Sequence, residues 1–130
     1  MKPEKRALVR ELSGQHAVNV RLSNRFISLV FDSRRLRNRA VKKRVHVIAD
    51  WSRSKKEVYY DKSVKEKDIL PLLVHETIEK YVTEKYGLNA DKESHRIAQA
   101  VERRFVRSRR KWENHEKRIN RLWEKVNDGK

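Results

Sequence analysis

At 130 residues, with 37% hydrophobic and 40% charged side chains, the chain has the length of one domain and apolar material for one modest core. It contains no cysteine, which excludes disulfides, thiolate zinc sites and cysteine nucleophiles, so a metal site here must use histidine and carboxylate. The net charge of +16 favours a polyanionic partner, and no apolar run approaches the roughly 20 residues of a membrane span.

Residues 3–13 read as a short helix that Gly14 stops. Val18-Asn19-Val20-Arg21-Leu22 and Phe26-Ile27-Ser28-Leu29-Val30-Phe31 are strand material, β-branched and aromatic in runs too short for a helix. Arg34 to Lys43 is dominated by charge and reads as a basic loop or an exposed helix. Val45-His46-Val47-Ile48-Ala49 and Val58-Tyr59-Tyr60 form a candidate hairpin about the polar stretch Ser52-Arg53-Ser54-Lys55-Lys56. After Lys65 the apolar period changes from two to 3.6. Asp68 would cap a helix running from Ile69 to Tyr86, Pro71 would lie in its first turn, and Gly87 would end it in the left-handed region. Asn89 would cap a second helix, with Asp91 and Glu93 in its first turn and no internal Gly or Pro before Gly129. Its stripe of Ala98, Val101, Phe105, Trp112, Ile119, Leu122 and Val126 has three/four spacing, interrupted at Ser108 and His115. A helix of nearly forty residues is long for this domain, so its last turns should project or fold back. The seam at Trp112, Ile119, Leu122 and Val126 could also pair with a partner helix or with its own copy.

Charge is distributed unevenly. Residues 15–45 carry nine basic side chains against one acidic, and 103–130 carry eleven against four, whereas 71–102 carry six acidic against four basic. Arg34, Arg35, Arg37, Arg39, Lys42, Lys43 and Arg44 form one basic block. Arg103, Arg104, Arg107, Arg109, Arg110 and Lys111 form the other. Both signs being the same, the expectation is contact with nucleic acid or a ribonucleoprotein, weakening steeply as salt rises. The plainer alternative is a basic surface without such a partner. Trp51, Trp112 and Trp123 read as packing anchors, with Trp112, beside Arg109, Arg110 and Lys111, also placed to stack on a base. His16, His46 and His115 read as single histidines without partners.

The only acidic region holds His75-Glu76-Thr77-Ile78-Glu79. On a helical wheel His75 and Glu79 fall within the apolar arc of Leu72, Val74, Ile78, Val82 and Tyr86. Burying either unpaired would cost several kcal/mol, roughly, so each needs a partner: a metal ion, or hydrogen bonds to one another and to a second helix. The short Gly87-Leu88-Asn89-Ala90 connection folds that second helix back, bringing His95 and Glu102 as candidates. His75 and Glu79 have the i, i+4 spacing of ligands on one helix, and two imidazoles with a carboxylate suit zinc. Glu76 lies off the main arc, where it would act on water rather than bind the ion.

At Leu72-Leu73-Val74-His75-Glu76 the chain resembles the metal-binding helix of zincin metallopeptidases, in particular the minimal gluzincin-like ones. That resemblance implies a peptidase in which His75 is a zinc ligand and Glu76 the catalytic base, with a downstream helix supplying a glutamate. Glu79 stands where the family has its second histidine, giving H-E-x-x-E. A permuted set of His75, Glu79 and His95, with Glu102 nearby, would keep the coordination chemistry. The basic flanks point instead to a phosphodiester or nucleotide substrate.

The expected architecture is a single α+β domain. Residues 1–65 supply a small sheet and a basic loop, 66–102 a helix hairpin with the candidate metal site, and 103–130 a basic helical extension, the end of a long C-terminal helix. Its start, Met1-Lys2-Pro3-Glu4-Lys5, lacks the apolar segment of a signal peptide, so the chain reads as cytoplasmic. The leading function is a metal-binding, zincin-like domain, its metal either structural or that of a hydrolase, on a surface that contacts nucleic acid or a ribonucleoprotein. The alternative is a non-enzymatic nucleic-acid-binding protein whose His/Glu cluster is structural.

Overall fold

The computed structural model describes residues 3–44 and 47–128, the last three of them by backbone alone. The fold is α+β. Helix α1 (Pro3–Ser13) is followed by strands β1 (Val18–Ser23), β2 (Phe26–Phe31), β3 (Arg34–Lys42), β4 (Ala49–Trp51) and β5 (Glu57–Tyr60), then by α2 (Glu66–Tyr86), α3 (His95–Val106) and α4 (Arg109–Asp128). The sheet order is β1-β2-β3-β5-β4, antiparallel throughout except for the parallel pair β3–β5.

Two tight turns build the meander. Asn24-Arg25 and Asp32-Ser33 all have positive φ, the geometry of two-residue hairpin turns that matches strand twist. The second turn makes Arg34–Lys42 a strand, not the expected basic loop or exposed helix. Its pattern is alternating: Asn38 and Ala40 are buried and Leu36 half-buried, whereas Arg35, Arg37 and Arg39 are exposed. Tyr81 and Tyr86 on α2 both donate to Asp32 Oδ2, at 2.8 and 2.5 Å, which ties this turn to the helix. The β4–β5 hairpin forms as expected, but starts at Ala49: Val47 and Ile48 lie in a bend, and Val45 and His46 are outside the described residues.

Strand β2 turns Ile27, Leu29 and Phe31 inward, where they meet Leu73, Val74, Ile78 and Val82 of α2 and Ile97, Ala98 and Val101 of α3. Each such side chain contributes about 1.5–3 kcal/mol by leaving water. Helix α2 is buried on more than the predicted arc, because the sheet packs on one side and α3 on another; Glu76, Thr77 and Lys80 are buried as well. The helix begins three residues earlier than expected, capped at Lys65, so Pro71 lies beyond its first turn. Gly87 ends it at φ 64° with its N–H on Thr83 O, as predicted.

After Gly87, Asn89 caps as expected, its side chain accepting from the N–H groups of Asp91 and Lys92. One π-helical turn (Ala90–Ser94) then leads into α3. The continuous helix expected from Asn89 onward breaks at Arg107, at φ 65° and ψ −59°, and Ser108 restarts it by accepting from Lys111 N at 3.2 Å. Helix α4 therefore folds back. Trp112 is buried, and Ile119 and Leu122 pack on Ile48, Val64 and Leu72 of their own chain; the Val126 side chain is outside the described residues. No helix among the described residues is long and apolar enough to cross a membrane.

Candidate metal centre

The fold-back of α3 and α4 on α2 assembles a chain of ionisable side chains. His75, 6% exposed, has both ring nitrogens engaged: Nδ1 is 2.8 Å from Glu102 Oε1 and Nε2 is 3.0 Å from Glu79 Oε2. Glu79 is also 3.4 Å from His95 Nδ1, and its other oxygen accepts from Trp51 Nε1 at 3.1 Å. The rings of His75 and His95 meet edge-on with centroids 4.8 Å apart. The π-helical turn sets His95 at the first position of α3, where about half of its side chain is exposed.

His75, Glu79 and His95 each offer one ligand atom, and all three atoms lie within 4.8 Å of one another. Bonds of about 2.0–2.2 Å at tetrahedral angles place neighbouring ligand atoms about 3.3 Å apart. The 3.0 Å and 3.4 Å separations about Glu79 fit that spacing. The donor set, two imidazoles and a carboxylate, fits zinc or another transition metal better than magnesium.

Glu102, a predicted ligand, is outside this trio and stands behind His75. Its second oxygen is 2.5 Å from His115 Nε2, and His115 Nδ1 is 2.8 Å from Asp68 Oδ1. Arg118 closes the chain with two bonds of 2.7 Å to Asp68. His115 is thus no solitary histidine, and Asp68, expected as a cap, is instead fully buried between α2 and α4. Trp112 is buried and packed on His115 with ring centroids 5.6 Å apart, in the packing role expected of it. Neither His115 nor Trp51 carried a sequence signal for this site beyond being polar interruptions or aromatics among apolar neighbours.

The electrostatics follow from this pairing. Burial alone would push His75 down, but its bonds to Glu102 and Glu79 and the charge of Glu76 carry it up to about 10. Burial likewise opposes ionisation of Glu79, yet His75, His95 and Trp51 hold it down at about 2. Glu102 and Asp68 are lowered in spite of burial, by His115 and His75 in one case and by Arg118 and His115 in the other. Glu76 goes the opposite way. Its carboxylate is 3.8 Å from His75 Nε2, and burial, reinforced by the charges of Glu79, Asp50 and Glu102 against that of His75, raises it to about 8.

His75, Glu76, Glu79, His95, Glu102 and His115 line a cleft of about 410 Å³ between α2, α3, α4 and the approach to β4. Ile119 and Trp123 of α4 form an apolar wall, and Asp50 and Asp91 keep the mouth acidic. The basic blocks lie elsewhere. Arg35, Arg37 and Arg39 project from β3, with Arg34 and Lys42 at its ends and Lys43 and Arg44 just beyond. Arg103, Arg104, Arg107, Arg109, Arg110 and Lys111 surround the α3–α4 elbow, where Arg104 and Arg107 border the start of β1. Comparison with protein-family models, curated proteins and solved structures finds no significant match.

Proposed function

We propose that the protein is a metal-dependent hydrolase, zincin-like and acting on peptides, whose basic surface brings it to nucleic acid or a ribonucleoprotein in the cytoplasm. The observation that carries the hydrolytic reading is the convergence of His75, Glu79 and His95 within 4.8 Å, in an open cleft beside a buried carboxyl. A bound zinc-class ion supplies Lewis acidity that polarises a carbonyl and makes water a stronger acid. Glu76 would take the proton of the attacking water and pass it to the leaving amine. Without a cation its carboxyl is pushed up to about 8, and a divalent charge beside it would favour the carboxylate form that a base needs. Glu102, held by His115, fixes the orientation of the His75 ring through Nδ1, the usual arrangement of a carboxylate behind a ligating histidine. Trp51 does the same for Glu79. The apolar wall of Ile119 and Trp123 would receive an apolar side chain of the substrate.

One observation favours a second reading, a structural cluster in a non-enzymatic nucleic-acid-binding protein: both nitrogens of His75 are hydrogen-bonded to carboxylates of the same chain. The two readings separate on Glu76→Gln. In a metal-dependent hydrolase this variant keeps stoichiometric metal and loses at least about 100-fold in the hydrolysis of a fluorogenic peptide pool. Unchanged hydrolysis removes Glu76 as the base. A wild-type protein that takes up no zinc, yet folds and binds nucleic acid, favours the structural reading.

A further inference from the structure

The helices cover one face of the sheet, and among the described residues none packs over the other. In register across this outer face lie Arg21, Ser28 and Arg37 in one row, Ser23, Phe26, Arg39 and Glu57 in the next, and Val41 beside Tyr59 further on. Arg35 stands opposite Val30. Inward neighbours are buried, Ile27, Leu29, Ala40 and Val58 among them, whereas Arg21, Arg35, Arg37 and Arg39 are exposed and Phe26 and Tyr59 half-buried. Among the described residues these four arginines form no ion pair. Cations lie directly on both rings: Arg37 Cζ is 3.9 Å from the Phe26 centroid, and Lys43 Nζ is 3.7 Å from that of Tyr59. The acidic members of the face, Asp50 and Glu57, are confined to its β4–β5 side.

We propose that this outer face of the sheet binds single-stranded nucleic acid, with bases stacking at Phe26 and Tyr59 and phosphates paired to Arg21, Arg35, Arg37, Arg39 and Lys43. Phe26 lies among unpaired arginines, and Tyr59 lies under Lys43 with its hydroxyl donating to Glu57 Oε1 at 2.9 Å, so the face offers rings and cations that match both halves of a nucleotide and a carboxylate at one end. Every base has a π-face, and a planar guanidinium laid on Phe26 is a second stacking surface. A duplex does not fit this chemistry, because its bases are stacked on one another and present only edges to a flat face. The two rings are separated by two strand spacings and two residues along the strands, about 10 Å across and about 7 Å along. A flexible strand can span that offset and place separate bases on each ring. The inference rests on the polyanion half of the proposed function and is independent of the metal centre. It assigns the binding to the β3 block rather than to the α3–α4 elbow.

The test is fluorescence anisotropy with labelled 12-mers of oligo-U and oligo-dT and a duplex of the same length, across a salt series. Phe26→Leu with Tyr59→Leu keeps apolar bulk and removes the stacking planes. It should weaken single-strand binding by at least about 10-fold, with the salt dependence and the duplex affinity unchanged. Arg35→Gln, Arg37→Gln and Arg39→Gln together should weaken binding and flatten the slope of log K against log salt by about 2. Arg109→Gln, Arg110→Gln and Lys111→Gln, an equal loss of charge at the elbow, should change single-strand affinity by less than about 3-fold. A preference for oligo-U over oligo-dT, or the reverse, decides between RNA and DNA within the proposal. Single-strand binding that ignores both sheet variants, or equal and equally unaffected duplex binding, overturns the assignment to this face alone. No binding of any probe at low salt overturns the polyanion reading with it. Should the aromatic double variant fail to fold, the exposed arginine triple decides by itself.

Discussion

His115→Ala cuts the ionisable chain at its centre. The imidazole is 3% exposed and bridges Glu102 Oε2, at 2.5 Å, to Asp68 Oδ1, at 2.8 Å. Removing one member of a buried, hydrogen-bonded charge pair costs about 3–5 kcal/mol, because the partner stays buried and unpaired. Here each carboxylate retains another partner. Glu102 keeps His75 Nδ1 at 2.8 Å, and Asp68 keeps two bonds of 2.7 Å from Arg118. The expected loss therefore lies at the low end, about 3 kcal/mol, or about 10 °C in Tm for a chain of this size. Urea unfolding with an unchanged m-value measures it, and His115→Gln, which can still donate to one carboxylate, should recover part. The same variant loosens Glu102 and with it the His75 ring, so zinc affinity should fall about 10- to 100-fold in competition with a chromophoric chelator. A stability loss below about 1 kcal/mol would refute the buried chain. Full destabilisation with unaltered zinc affinity would refute its coupling to the metal centre.

Trp51→Phe removes the indole N–H that holds Glu79 Oε1 at 3.1 Å while keeping an aromatic ring in the core, so zinc affinity should fall about 10-fold with Tm changed by only a few degrees, roughly; a far larger fall in Tm with full affinity would make Trp51 a packing residue alone. Asp32, which accepts from Tyr81 and Tyr86 and lies 3.6 Å from Lys85, is held below its ordinary value of 3.8 by those partners against the effect of burial. A lowered folded-state pKa gives stability that is complete above 3.8 and lost as pH falls through the folded value. The stability gap between wild type and Asp32→Asn should be about 2 kcal/mol and constant from about pH 7 to 5, and should close below about pH 3.8. A gap that persists unchanged into strong acid would show that the charge of Asp32 contributes nothing.

Local chemistry made much of the fold legible. Gly14 and Gly87 end their helices where read, Asn89 caps, and the β-rich runs at 18–22 and 26–31 are strands. The misread segments are those where the deciding contact is distant or the local signal is masked. In β3 the inward side chains are only Leu36, Asn38 and Ala40, so a weak apolar alternation was hidden under arginines; the Asp32-Ser33 turn was the readable sign. The break at Arg107 uses a residue with no preference for positive φ, and only Ser108, a helix-capping type, marked it. That missed break hid His115, Asp68 and Arg118, because their meeting depends on α4 folding back. His75, Glu76 and Glu79 were legible as a group since one helical turn brings them together whatever the tertiary structure. His95 followed from the short connection after Gly87. The position of Glu102 behind His75, away from the three converging ligand atoms, required the packing of α2 on α3 and α4.

The most direct test of the central claim is a zinc titration of chelator-treated protein by calorimetry, comparing wild type with Glu79→Gln and His95→Ala. Because His95 is half exposed, its variant leaves the core intact. Wild type should take up one ion per chain, Glu79→Gln and His95→Ala should each bind far more weakly, and the combined variant should show no saturable uptake. A folded wild type that binds no zinc, manganese or iron, or that binds as tightly without Glu79 and His95 as with them, would contradict the assignment of His75, Glu79 and His95 as a metal centre.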